Sequence, residues 1–172
     1  MLRLASVLMA LYSYFLVQTN IGKLPRCIPT HFDAAGKANG WGSPDTLWVL
    51  LFAQVLVGLV FLAVPYLGER FPGIVNLGRH RLSDYSPEQQ ARILPLLQDM
   101  AGYMSLLTNL FFVLMLRQVI HAATDPAPHL NMAPPMTILL GGFLVVMLYY
   151  MRKIFRITKE TVARQAAGLR QS

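Results

Sequence analysis

Four apolar stretches, separated by polar loops, dominate the pattern of the chain. They cover residues 4–21, 47–67, 100–122 and 136–151. A helix needs about 20 residues, with a tolerated range of about 17–25, to cross the hydrocarbon of a bilayer. The fourth stretch is the shortest, but Pro134 and Pro135 suit a helix start and Arg152 can extend its charge to the lipid surface. The pattern therefore predicts an all-α integral membrane protein with four transmembrane helices.

The first stretch has a second interpretation, which is a cleaved signal peptide with Arg3 as its charged end. Residues 18–23 contain no small-x-small cleavage pattern, and the polar Tyr12, Ser13 and Tyr14 interrupt the apolar region. These features favour a retained helix.

Composition agrees with a membrane protein. The 172 residues are 55% hydrophobic and only 13% charged, and their mean hydropathy is +0.46. One small globular core cannot bury that much apolar surface, so lipid must cover part of it.

The distribution of Lys and Arg predicts the orientation of the helices. The loop after the second helix, the C-terminal tail and Arg3 carry most of the positive charge, while the first and third loops hold only Lys23, Arg26 and Lys37. The positive-inside rule then places both termini in the cytoplasm and the loop at residues 22–46 outside. The net charge of +7 sits at membrane exits, which favours anionic lipids of the inner leaflet as partners and no nucleic acid. Within the tail, residues 154–162 allow either a short helix on the inner leaflet or a solvated helix.

The loop at residues 22–46 is dense in residues that shape the backbone. Pro25 and Pro29 favour an extended segment up to Phe32. Residues 33–36 and 39–40 each predict a turn with a glycine available for positive φ, which would bring Phe32 and Trp41 face to face in a compact cap. The candidate binding residues of this loop are Pro29, His31, Phe32, Asp33, Gly36, Gly40 and Trp41.

The same loop resembles a known domain. Residues 24–25, 28–33, 36, 40 and 42–43 are similar to the N-terminal domain of an uncharacterised bacterial membrane-protein family. That domain also occurs in the immunity and signalling membrane proteins of the sporulation-delaying toxin system. The chain departs from the family pattern at Pro44, where a lysine is common. The resemblance implies a multi-pass protein of the bacterial cytoplasmic membrane, without an established reaction.

A second, shorter resemblance to small members of the family lies in the loop at residues 68–99. Its residues are Asn76, Asp84 and Tyr85, followed by a helix that begins with Pro-Glu. Ser86 and Gln89 form a capping-box pattern around that helix start. We expect the helix to run towards the membrane, with Pro95 kinking or breaking it and so providing a pivot. On this basis residues 1–123 form a family-like membrane domain, and residues 124–172 add an external connector, the fourth helix and a basic tail.

Polar residues within the predicted spans are few. Gln54 and Asn109 lie at depth, Arg117 lies near the outer surface, and no acidic residue lies within any span. Hydrogen bonds between helices explain such residues without a transport pathway.

A metal site is the one chemical alternative that the outer loops suggest. His31, His121 and His129, with Cys27, Asp33 and Asp125, fall on the predicted outer side, but their spacing does not match a ligand motif. We therefore predict no metal and no other cofactor.

Three functional classes remain once catalysis is set aside. The chain has no nucleophile elbow, metal-binding helix motif or phosphate loop, so we predict that it is not an enzyme. The favoured function is a binding or regulatory module, resembling the immunity and signalling proteins, that recognises another membrane or peripheral protein through its outer loop. The alternatives are an accessory subunit of a larger respiratory or photosynthetic complex and a small oligomeric transporter.

Overall fold

The computed structural model describes residues 1–78 and 80–168, with side chains up to residue 159. In this part of the chain, four helices are long and apolar enough to cross a membrane. They are α1 (Leu2–Asn20), α2 (Thr46–Arg70), α3 (Pro87–Ala122) and α4 (Ala133–Gly168). Three short 3-10 turns, Ile21–Lys23, Pro72–Ile74 and Leu82–Asp84, follow α1 and shape the loop between α2 and α3.

Helix α3 is the centre of the bundle, because it packs against α1, α2 and α4. A third of its most apolar window is buried, at 33%, against 11–17% for the other three helices. The contacts also fix the directions of the helices. Leu2 of α1 lies near Gly102 of α3, and Val17 near the other end of α1 clusters with Leu116. Gly142 of α4 lies near Leu107, and Ile154 clusters with Ile93. Helix α1 therefore runs parallel to α3, and α4 runs antiparallel to it.

The loop between α1 and α2 contains a β-hairpin. Strands β1 (Ile28–Phe32) and β2 (Ala38–Gly42) pair antiparallel, with two register shifts along β1. The extended segment and the first turn agree with the proline and glycine pattern. The second predicted turn is wrong, since Asn39 and Gly40 lie inside β2.

Two apolar clusters close the two ends of the bundle. At one end the hairpin covers the cap cluster, formed by Val17, Ile28, Leu47, Leu116, Val119, Ala123 and Leu130. At the other end lies the basal cluster, formed by Leu82, Ile93, Ile154 and Ile157. We call residues 21–45 and 123–132 the cap, and residues 71–86 the basal loop.

The third and fourth helices extend beyond the predicted apolar segments. At about 1.5 Å per residue, a 36-residue helix is about 54 Å long, against a hydrocarbon core of about 30 Å. Helix α3 passes through Pro95 without interruption, so the predicted break is absent. The predicted capping box is confirmed, because the Ser86 N–H donates to Gln89 Oε1 at 2.9 Å and the Gln89 N–H donates to Ser86 Oγ at 3.4 Å.

The predicted end of α4 near residue 151 is wrong. Ile154 and Ile157 are buried against α3 and the basal loop, so they are not available to insert into a leaflet. These two side chains therefore do not form the exposed apolar face that a surface helix would need. The side chains of Val162 and Arg164, and the whole of Arg79 and Arg170, lie outside the described residues.

Candidate functional site

Main-chain hydrogen bonds join the two loops of the cap into one unit. The Leu130 N–H donates to the Gly36 carbonyl at 2.8 Å, and the Ala38 N–H donates to the Pro128 carbonyl at 3.4 Å. Lys37 and His129 form an antiparallel bridge between these two contacts. The segment after α3 therefore docks on the hairpin through this isolated bridge and its two flanking hydrogen bonds, although its sequence suggested only a connector between helices.

The Gln118 side chain of α3 hydrogen-bonds to the docked segment. The Asn131 N–H donates to Gln118 Oε1 at 2.9 Å, and Leu130 is buried in the cap cluster. The sequence alone predicted no role in the cap for Gln118 or Leu130. Pro126 and Pro128 favour extended backbone, and they are the sequence feature that could have indicated that this segment docks on the hairpin.

The turn of the hairpin is built around Asp33 and Gly36. Asp33 Oδ1 accepts hydrogen bonds from the backbone N–H groups of Ala35 and Lys37, both at 2.9 Å. Gly36 has φ +81°, a left-handed conformation that favours glycine. Asp33 Oδ1 therefore stabilises the turn.

Gly40 has a different role from the one predicted. Its φ is not positive, and an added Cβ would lie 2.8 Å from the Cβ of His31 on the opposite strand. Glycine is therefore needed here for the close approach of the two strands.

The predicted contact between Phe32 and Trp41 is wrong. Trp41 pairs with Pro29, whereas Phe32 pairs with Ala38. Phe32 packs against the cap cluster, while the Trp41 side chain is 56% exposed.

Of the seven predicted binding residues, two have exposed side chains that neither form the turn nor face the core. These are Trp41 and His31, whose Nδ1–H donates to the Asn39 side-chain carbonyl. The other five, Pro29, Phe32, Asp33, Gly36 and Gly40, fix the shape of the cap. The site thus consists of a rigid support with few groups available for recognition.

The histidines of the cap do not form a metal cluster. His129 lies against Gly36, and His121 is exposed near the end of α3. In the described residues, no group of three or more His, Cys, Asp or Glu side chains could hold a metal ion.

The basal loop residues Asn76, Asp84 and Tyr85 act together in one folded turn. Asn76 Oδ1 accepts from the Gly78 N–H at 2.9 Å, and Asp84 Oδ2 accepts from the Arg81 N–H at 2.7 Å. Burial, and then the negative charge of Asp84, raise the pKa of the Tyr85 phenol above its ordinary value. Backbone capping is thus the visible role of Asn76 and Asp84.

The intramembrane polar residues divide into a pair and a separate cation. Gln54 Nε2 donates to Asn109 Oδ1 at 2.9 Å, which joins α2 to α3. Arg117 is exposed, about 12 Å further along α3 towards the cap.

The comparisons with known proteins cover only the first part of the chain. No curated protein and no solved structure matches this chain. Residues 4–57 match a domain of unknown function, DUF1648, which includes α1, the hairpin and the half of α2 that carries Gln54. This segment of the chain is therefore similar to an uncharacterised domain family.

Proposed function

We propose that this protein is a non-enzymatic, multi-pass protein of the bacterial cytoplasmic membrane whose cap binds another membrane or peripheral protein on the outer side. In this proposal it acts as an immunity-like or signalling-like module. The single observation that carries the proposal is the bracing of the hairpin by the segment after α3, through the Leu130–Gly36 and Ala38–Pro128 hydrogen bonds. A connector between helices does not need this bracing, whereas a recognition surface gains affinity when its shape is formed in advance.

The exposed groups of the cap suit contact with a protein. Trp41 offers a large aromatic surface, and tryptophan is enriched among residues that dominate binding energy. Each cap carboxylate already has a local partner: Asp33 accepts from backbone in the turn, Asp45 from the Ser43 hydroxyl, and Asp125 from the Ala127 N–H. These donors are neutral, so the three carboxylates keep their charge, and together with Lys23, Arg26 and Lys37 they give the cap both signs of charge.

Anionic lipid is the proposed partner at the opposite end. Tyr149, Arg152, Lys153 and Arg156 follow helical spacing and line a recess on α4. Lys153 Nζ lies 4.5 Å from the centre of the Tyr149 ring. A cationic recess on this part of α4 matches the charge of phospholipid headgroups on the cytoplasmic leaflet.

The orientation can be tested with the native cysteine. Cys27 is the single cysteine of the chain and is exposed in the cap. A membrane-impermeant maleimide should label it in intact cells. With Cys27→Ser as background, Ser83→Cys in the basal loop should react only after the membrane is permeabilised. Labelling of the basal cysteine alone in intact cells would reverse the proposed topology.

Partner binding can be tested by replacing Trp41 with a photo-crosslinking residue. We expect one defined protein adduct in native membranes. Gly36→Val should abolish it, whereas Gly22→Val should retain it, because an added Cβ at Gly22 meets no atom within 4 Å. Adducts with lipid alone would contradict the proposal and place Trp41 in an interfacial aromatic belt. Migration in a large complex that is independent of the cap variants would favour the accessory subunit instead.

A further inference from the structure

The part of α4 that follows residue 151 carries positive charge without compensating negative charge. Between residues 126 and 159 the chain contains four Lys or Arg residues and no acidic residue. The four are Arg152, Lys153, Arg156 and Lys159, and all of their side chains are exposed. In the part of the chain that the structure describes, no carboxylate pairs with Arg152 or Arg156. Their charge is therefore available to an anion from outside the chain.

The opposite face of the same segment is buried. Ile154 is 2% exposed and Ile157 is 9% exposed, and both pack with Leu82 and Ile93 in the basal cluster. The two isoleucines lie three residues apart, so they reach the cluster together only while this segment is helical. Docking of α4 on the basal cluster therefore holds the cations in fixed positions along its outer face.

Repulsion on the outer face opposes the helix that the basal cluster needs. Arg152 and Arg156 are four residues apart, and Lys153 and Arg156 are three apart, so the Cβ atoms of each pair are about 5–6 Å apart. Like charges at these spacings destabilise a helix. The Tyr149 ring, with its centre 4.5 Å from Lys153 Nζ, attracts the ammonium but does not neutralise it. An anion bound to this face would therefore stabilise both the helix and its docking.

The cations lie at the depth of lipid headgroups. Residues 133–151 of α4 rise about 28 Å, which is close to the hydrocarbon thickness of about 30 Å. Arg152 and Arg156 therefore follow directly after the hydrocarbon. The recess that they line has a volume of about 500 Å³ and continues along Val145 and Leu148, which are 67% and 52% exposed. A phosphate with an attached acyl chain matches this combination of cationic and apolar walls.

The lining also selects among phospholipids. Each of the two guanidinium groups can donate a pair of hydrogen bonds to phosphate oxygens. No described residue that lines the recess carries a carboxylate, so the ammonium of phosphatidylethanolamine would meet only positive charge. Phosphatidylglycerol has hydroxyls in place of this ammonium and keeps a net negative charge. Its headgroup therefore fits the recess better.

We propose that a lipid of the phosphatidylglycerol class binds in this recess and, by neutralising Arg152 and Arg156, stabilises the docking of α4 on the basal cluster. The recess is the one for which an anionic lipid partner is proposed, so this inference rests on that part of the proposed function. It does not depend on partner binding at the cap.

The test is hydrogen–deuterium exchange of the full-length protein in phosphatidylcholine nanodiscs that contain increasing fractions of phosphatidylglycerol. The amides of residues 154–157 report docking, and so does the Leu82 amide, which donates to the Val75 carbonyl at 2.9 Å. Their exchange should slow about tenfold when the lipid is at ten times its Kd, as expected for one site. The same fractions of phosphatidylethanolamine should slow it less than twofold.

The double variant Arg152→Gln with Arg156→Gln gives a result of opposite sign. In phosphatidylcholine alone its amides should exchange about twofold more slowly than those of the unchanged protein, because like charges have been removed. Phosphatidylglycerol should then slow them no further. Arg26→Gln in the cap is the matched control, because it removes an exposed cation far from the basal cluster, and it should keep the full response.

Native mass spectrometry of the same samples separates the two proposals. A retained phosphatidylglycerol that does not slow exchange would overturn the stabilising effect and leave the lipid as a partner. No retained lipid would overturn both. An equal response to phosphatidylethanolamine, or a full response in the double variant, would overturn the assignment to these arginines. If the double variant does not yield folded protein by size-exclusion chromatography, the two single variants carry the test, each with a reduced response to phosphatidylglycerol.

Discussion

Replacing Gly36 by valine should detach the two loops of the cap from each other. The φ of Gly36 is +81°, and an added Cβ would lie 2.3 Å from the Leu130 carbonyl oxygen and 2.9 Å from His129 Cε1. The first of these contacts is with backbone, so a change of side-chain rotamer cannot relieve it. The docked segment must therefore move away from the hairpin.

The magnitude follows from two losses. A left-handed conformation costs an ordinary residue about 1–2 kcal/mol relative to its preferred geometry. Loss of the 2.8 Å hydrogen bond from Leu130 to Gly36 adds about 1 kcal/mol. Together they destabilise the docked cap by about 2–3 kcal/mol, while the helices below should stay packed.

Hydrogen–deuterium exchange of the protein in detergent micelles measures this local opening. A loss of about 2–3 kcal/mol corresponds to roughly 30- to 150-fold faster exchange of the Leu130 and Ala38 amides. Amides in the middle of α3 should not change. Gly22→Val is the control, because its Cβ would project into open space within the same cap.

Gly40→Val tests whether the effect is specific to the docking contact. Its Cβ would meet only the His31 residue of the facing strand, so the hairpin amides should exchange faster, with a smaller effect on Leu130. Unchanged Leu130 exchange in Gly36→Val would refute the reasoning, and so would an equal increase in Gly22→Val.

Three further predictions concern the basal end of the bundle. Ile154→Ala should lower the free energy of unfolding by about 2–4 kcal/mol because Ile154 is 2% exposed, whereas Phe155→Ala, at a side chain 60% exposed, should change it by less than about 1 kcal/mol; denaturant titration in micelles compares them. Ser86→Ala should cost about 1 kcal/mol through loss of the helix cap, and exchange of the first α3 amides measures it. The pKa of Tyr85 is raised above 10.0 in the folded protein, so stability should fall as the pH rises from about 10 through that higher pKa; Asp84→Asn should lower the pKa, as read from phenolate absorbance against a Tyr85→Phe control.

Local chemistry determined much of the fold and of the hairpin turn. The spacing of apolar residues predicted four helices, because crossing hydrocarbon requires a minimum apolar length and satisfied backbone groups. The Ser86–Gln89 box predicted the start of α3, and the residues around Gly36 predicted a turn with positive φ. Each of these depends only on neighbours in sequence.

The extension of α4 needed the tertiary structure. Residues 152–159 are too polar to read as a membrane segment, yet they continue the helix, and Ile154 and Ile157 are buried with Ile93 and Leu82. Propensity and lipid length do not encode a contact between two helices beyond the bilayer.

The candidate site shows the same division between local and long-range information. The sequence by itself determined a membrane protein with a shaped loop, a turn at Gly36 and polar residues at Gln54 and Asn109. Only the tertiary structure decided that Leu130 docks on Gly36 and that Gln54 of α2 donates to Asn109 of α3. The physical reason is that backbone donors and acceptors are alike at almost every residue, so pairing between distant segments leaves little trace in the sequence. The space enclosed between helices likewise depends on how they pack, which no single segment specifies.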